Sequence, residues 1–457
     1  MAGCALAAGL TYPRRDTMRL ALALRPLRHR AYATVWTAGL VSNIGTWMQT
    51  VAVGALVTAL THNPVWTAVA YIAGFLPMGI ISPLGGALAD RFDRKKVTIA
   101  GTFVETALAS TLAILVHTGH THPALVNLIV FMAGCVAAFR MPFQQAMLPD
   151  LVPREDIVGA LSLGSAQWNF GRVAGPALAG IVIVAGSFSL AFAINALSFL
   201  AVVIAYSIVK VPKLETHEEW QGITKQLRAG AQAVKKDPGI RAAFVFIAVA
   251  SGLAAPFMSL IAAMAEELAG GTGGAKAIAA GTGALTTGQG IGAVLGSLLL
   301  PGLVDRWGRT RTLTAALLGC GVVLIPYGLA PNVPTAALAL AAVGGVYILV
   351  LSGLSAIVQL RADPAFRGRA ISLFWAVLSI LFPIGALAQG MLARATNMRV
   401  TTVVAGIAVI AATLVLHATK PHLFSALDDD VTDDKPDSLE EVEEPESLVA
   451  EGQPLGA

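Results

Sequence analysis

Long apolar runs laid nearly end to end dominate this chain, and few folds can accommodate them. A bilayer core of about 30 Å takes about 20 mostly apolar residues per helix. Runs of that kind cover Ala31–Leu60, Val65–Leu88 and Thr98–His117. They continue at residues 124–142, 158–185, 187–209, 242–265, 280–304, 312–330, 334–360, 370–394 and 400–418. Lipid offers no hydrogen bonds, so each backbone N–H and C=O must be satisfied within its own segment. Twelve such runs therefore predict an all-α membrane protein of twelve transmembrane helices. Composition agrees, since only 13% of the residues are charged where a soluble domain carries roughly a quarter.

The placement of bases orients the helices. An arm at residues 1–30 holds Arg14, Arg15, Arg19, Arg25, Arg28 and Arg30. Alternate connections then carry Arg91, Arg94, Lys95 and Lys96, next Arg154, next Lys210 through Arg241, next Arg306, Arg309 and Arg311, and last Arg361, Arg367 and Arg369. The other connections hold only Lys276, Arg394 and Arg399. Bases stay on the cytoplasmic side, so both termini are expected there, in the inner (cytoplasmic) membrane of the cell. The net charge of +4 then reflects topology, and no nucleic-acid partner is expected. The stretch CALAAGL precedes Arg14 and Arg15, the reverse of a signal peptide's order, and Met18 offers a second start. Cys4, Cys135 and Cys320 have no paired spacing, so neither a disulfide framework nor a metal site is predicted.

The helices divide into halves at 31–209 and 242–418, joined by a polar connector at 210–241. Within the connector, Trp220 to Val234 has the apolar spacing of an amphipathic helix lying on the membrane surface. An acidic tail at 419–457 is expected to be disordered and solvated, with a regulatory role as the alternative. The halves echo one another. GGALADRFDRKK at 85–96 has a partner in LPGLVDRWGRTR at 300–311, aligning Asp90, Arg91 and Arg94 with Asp305, Arg306 and Arg309. GALSL at 159–163 likewise answers RAISL at 369–373. Such repeats are the parts that rock against each other in secondary transporters.

Paired D-R-x-x-R loops on a 6+6 helix layout resemble the major facilitator superfamily, over nearly the whole chain before the tail. Gly86, Asp90, Arg91, Arg94 and Lys95 resemble its cytoplasmic signature, with Asp93 where a glycine is usual and Gly308 retained in the second copy. PFQQAMLPDLVPREDIVGALSL, followed by NFGRVAGPALAG, is similar to the branch of the enterobactin exporter and macrolide efflux proteins. The resemblance implies that Asp90, Arg91 and Arg94, with Asp305, Arg306 and Arg309, latch the cytoplasmic side in an outward-facing state. Lys95 and Lys96 read as bases that merely hold the loop inside.

In the fifth helix Gly171, Gly175, Pro176 and Gly180 set small residues around a proline, a spacing that lets helix backbones approach closely. They resemble the superfamily's antiporter motif, with Ala179 replacing a glycine and Ser162 the upstream one. Arg172 lies midway along this helix. An arginine at depth costs at least about 2.5–3.5 kcal/mol on insertion scales, so it should face a cavity or an ion-pair partner. Its repeat equivalent is Phe382. Glu105 is the one acid deep in a predicted span. It reads either as a proton-coupling group or as a protonated carboxyl bonded to a neighbouring threonine or carbonyl. Polar stripes add Asn43, Thr46, Gln49 and Thr50 on the first helix, and Asn169 on the fifth. Thr282, Thr286 and Gln289 follow on the eighth, with Trp375, Ser379 and Gln389 on the eleventh. Each can line a pathway or glue helices together. Arg140 and Gln144 read as interfacial anchors.

The expected function is proton-coupled export of an amphipathic small molecule, such as an antibiotic, drug or siderophore, by alternating access. An importer or facilitator of a nutrient is the alternative, and a scaffold or sensor acting through the tail a more distant one. The spans contain no H-E-x-x-H, no G-x-S-x-G and no aspartate pair, so no enzyme and no cofactor is expected. No Walker A sequence is present, so no nucleotide partner is expected either.

Overall fold

A computed structural model describes residues 24–89, 91–211, 237–270, 274–362 and 367–428. Among them twelve helices are long and apolar enough to cross a membrane. The first half comprises α1 (Arg30–Thr61), α2 (Pro64–Leu88), α3 (Arg94–His117), α4 (Pro123–Met147), α5 (Ile157–Ala185) and α6 (Phe188–Ile208). The second comprises α7 (Pro238–Leu268), α8 (Gly274–Trp307), α9 (Arg309–Leu329), α10 (Val333–Arg361), α11 (Arg367–Ala395) and α12 (Met398–Thr419). The expected amphipathic stretch at 220–234, most of the N-terminal arm, Asp90 and the tail beyond 428 lie outside the described residues.

Local signals fix the helix ends. Asn63, Ser187, Asp237, Asn332 and Asn397 each accept a backbone N–H in the first turn of the helix that follows, satisfying a donor that has no partner inside the helix. Asp93 does the same for α3, taking the Lys96 N–H at 3.1 Å. That explains the departure from glycine in the first signature loop. The first copy keeps φ at −60° and gains a cap. Gly308 in the second copy sits at φ +79°, where a side chain would be strained.

Two expected boundaries are corrected. The connector ends earlier than 241, because Asp237 caps α7 and accepts the Arg361 Nε–H at 2.8 Å, drawing residues 237–241 into the bundle. The tail begins later than 419. Leu423, Phe424 and Leu427 are buried in the core of the second half, since their spacing puts all three on one face of a helical turn. Asp428 then accepts the Thr310 N–H at 3.0 Å, at the start of α9.

Helix α7 is irregular at its centre, with a π turn at Ala250–Ala254 and a 3-10 stretch at Ala255–Leu260 around Pro256. Backbone freed in this way must find partners inside the protein. Gln389 on α11 supplies one, donating to the Leu253 carbonyl at 2.7 Å. Gln389 is thus a brace for α7.

The halves meet along α5 with α8 and α2 with α11, with α1 also touching α7 and α8. One membrane face carries the bases and is here called the basic face; the other is the far face. Both hydrogen-bonding contacts between described residues of opposite halves lie on the far face. His62 at the end of α1 pairs with Glu266 of α7, and Lys276 of α8 donates to the Val184 carbonyl of α5 at 2.9 Å. Gly390 of α11 also packs against Pro64, Val65 and Ala68 of α2 there. A contrasting cluster around Tyr32, Met147, Leu163 and Tyr206, at the basic end, is built from the first half alone.

Candidate functional site

The α2–α11 seam shows where the halves part. At mid-membrane Gly79 has room for no side chain because Ser379 lies directly opposite. One turn nearer the basic face, the same stripes carry Pro83 and Trp375. Both are exposed, Trp375 at 44%. On α5 the Arg172 carbonyl lies against Gly290 of α8, and one turn nearer the basic face Trp168 is 38% exposed. A cavity between the halves therefore opens towards the basic face and is closed above this level.

Aromatic rings form its inner end. Trp47 of α1 meets Trp168 edge-on at 5.6 Å between centroids. Tyr71 of α2 stacks on Phe75 at 4.6 Å and touches Phe382 of α11 at 5.5 Å. Arg172 projects among them with its guanidinium carbon 5.9 Å from the Trp47 ring centroid, within cation–π range. The Tyr71 and Tyr347 hydroxyls are its nearest titratable neighbours. Among the described residues Arg172 has no hydrogen bond and no carboxylate within 4.0 Å, and its Nε is buried.

The antiporter-type glycines serve two contacts. A Cβ on Gly175 would lie 2.7 Å from the Ile44 carbonyl and 2.6 Å from the Trp47 Cβ, while Gly171 abuts Asn43. These two seat α5 on α1. A quarter-turn away, Pro176 and Gly180 meet Gly283 of α8 across the junction of the halves.

The polar stripes divide. Asn43 donates to Gln167 at 3.2 Å, and Gln49 accepts from Asn195 at 2.8 Å, so both join helices within the first half. The Thr50 hydroxyl bonds the Thr46 carbonyl, and the Asn169 amide bonds the Ser165 carbonyl. Gln289 is buried, with its Nε2 unpartnered.

Glu105 is not alone. Arg140 of α4 donates to it through Nε at 2.9 Å and Nη2 at 3.4 Å, and through Nη1 to Gln144. The reading of Arg140 and Gln144 as interfacial anchors is corrected: Arg140 is 8% exposed and pairs with the acid inside the first half. The two sit on different helices, so sequence spacing could not join them.

The signature loops behave unequally. Arg94 folds back on its own half, donating to the Ala89 carbonyl at 3.0 Å and lying 3.6 Å from Asp150. Lys95, read as merely topogenic, donates to the Ser207 and Val209 carbonyls and closes the end of α6. Arg91 is exposed. Among the described residues Asp305, Arg306 and Arg309 have no hydrogen bond or ion pair from their side chains, and a Cβ on Gly86 would meet nothing within 4 Å.

Sequence reasoning also missed the far face. His62, Glu266, Glu267 and Arg394 line a cleft of about 360 Å³ there, and Glu267 accepts from the Met398 N–H at 2.6 Å. The signal available was a histidine and two adjacent acids in connections otherwise poor in charge.

Residues 21–448 match the transmembrane secretion effector family of the major facilitator superfamily. The chain belongs to that family. This major facilitator protein is 24% identical to macrolide efflux protein A of Streptococcus pyogenes over 366 residues, 79% of this chain and 89% of that one. It is 22% identical to the multidrug efflux pump Tap of Mycolicibacterium fortuitum, over 80% of this chain and 89% of the pump. Its fold is shared with the nucleoside transporter NupG, at a TM-score of 0.65 and 14% identity, covering 85% and 98% of the two chains. The protein is a multi-pass membrane transporter of small molecules and not an enzyme.

Proposed function

We propose that this transporter exports an amphipathic small molecule, of the drug or antibiotic kind named for its relatives, by alternating access driven by proton antiport. The carrying observation is the central cavity, closed on the far face and parted on the basic face at Trp375 and Trp168. With the basic face cytoplasmic, this is the inward-facing state in which an exporter of the cell membrane loads. The free charges of Asp305, Arg306 and Arg309 suit a latch that engages only when that face closes. Glu105 stays the coupling candidate, and Arg140 sets its condition: the carboxylate takes a proton only when the ion pair opens.

Inside-out vesicles with an acid interior test the reading, using a labelled macrolide, tetracycline, cationic dye and catechol siderophore. Accumulation that a protonophore collapses supports it, and Glu105→Gln should then uncouple uptake from the gradient. Uptake confined to right-side-out vesicles would give the importer reading the place of export.

A further inference from the structure

Resting on the reading of the central cavity as the transport site, the cavity's charge points to the chemistry of what it holds. Arg172 sits midway along α5, and the groups that meet or face it come from α1, α2 and α10: Trp47, Tyr71 and Tyr347. None of these is an acid. The deep carboxylate in the first half, Glu105, is engaged by Arg140. The guanidinium thus stands among aromatic rings without an opposite charge.

A second observation points the same way. Trp47 is 9% exposed, Gln289 is 3% exposed, and the indole Nε1 and amide Nε2 are buried without a partner, as is Arg172 Nε. Gln289 adjoins Gly290, the residue against which the Arg172 carbonyl packs. All three orphans are hydrogen-bond donors. Buried donors left unmatched are costly, and a site built from a cation and donors wants an acceptor that carries negative charge. The flat walls of Trp47 and Trp168 suit an apolar or aromatic body beside it.

We propose that the transported molecule is an amphipathic anion, an apolar body bearing a carboxylate or comparable oxyanion that docks on Arg172. Arg172 is then the specificity-determining residue, selecting against organic cations of the same size.

Binding to the full-length protein in nanodiscs tests this without any gradient, using naphthylacetate, naphthylacetamide and naphthylethylamine, which share one aromatic body and differ in charge. Opposite charges about 4 Å apart at an effective dielectric near 20 attract strongly enough to predict at least about ten-fold tighter binding of the carboxylate than of the amine. The amide falls between. Arg172→Lys keeps this order, Arg172→Gln abolishes the preference while leaving amide binding intact, and Arg172→Glu inverts it. Tighter or equal binding of the amine by the unaltered protein overturns the proposal. So does a Gln variant that keeps the preference, or one that loses amide binding equally, which would make Arg172 structural. If the carboxylate preference holds while inside-out vesicles accumulate nothing, export fails and this inference stands.

Discussion

Adding one methyl group at Gly283 should shift the balance between the two faces of the transporter. A Cβ there would lie 2.7 Å from the Pro176 carbonyl oxygen and 3.2 Å from both Gly180 Cα and N. The first contact is about 0.7 Å closer than the 3.4 Å at which ordinary contact begins. All three atoms are backbone, so no side chain can swing aside. The seam must open, and overpacking of this sort costs about 1–3 kcal/mol. Because α5 and α8 meet here on the far side of Arg172, the cost falls on the state in which the far face is closed. It should move the equilibrium roughly 5- to 150-fold towards the opposite state. Spin labels on cysteines at His120 and Pro331, far-face turns of opposite halves, would report this by pulsed distance measurement. The background would have Cys4, Cys135 and Cys320 replaced by alanine. Gly283→Ala should move the distribution to longer separations. An unchanged distribution, with unchanged thermal stability, would refute the argument that backbone proximity at this seam sets the state.

Gly86→Leu is the converse. It meets nothing within 4 Å in the present state, so stability should stay within about 0.5 kcal/mol while vesicle transport falls because the basic face can no longer close; normal transport would remove Gly86 from the latch. Arg140→Leu leaves Glu105 buried and unpaired, which should cost about 3–5 kcal/mol and lower the melting temperature in detergent. The Glu105→Leu/Arg140→Leu double variant should recover most of that loss, and a double variant no better than the single would count against the pair. His62→Asn tolerates the left-handed backbone at φ 48° but is too short to hold Glu266. His62 is two-thirds exposed, so the loss should be at most about 1 kcal/mol, read as a modest lengthening of the same label distance that high salt reproduces in the unaltered protein.

Hydropathy alone located all twelve spans, because a bilayer imposes one length and one polarity on every segment that crosses it. The repeated D-R-x-x-R loops and the glycine–proline stretch of α5 were equally legible, since each is a local pattern. Glu105 could be singled out as deep, but its partner could not, because Arg140 reaches it from another helix. Lys95 looked like a topological charge until α6 was seen to end beside it. Gln389 looked like pathway lining until the broken centre of α7 gave it a carbonyl to bind. The far-face contact of His62 with Glu266 joins residues more than two hundred positions apart, a distance no spacing rule bridges.

The sequence by itself determined that this chain is a twelve-helix membrane protein made of two related halves, because apolar length and repetition are properties of the linear chain. Only the tertiary structure decided which face is shut, which acid is paired and which arginine stands without an opposite charge. Those depend on which helix faces lie opposite one another, and in a bundle of uniformly apolar helices the close approach of small residues and a few buried polar groups sets that arrangement.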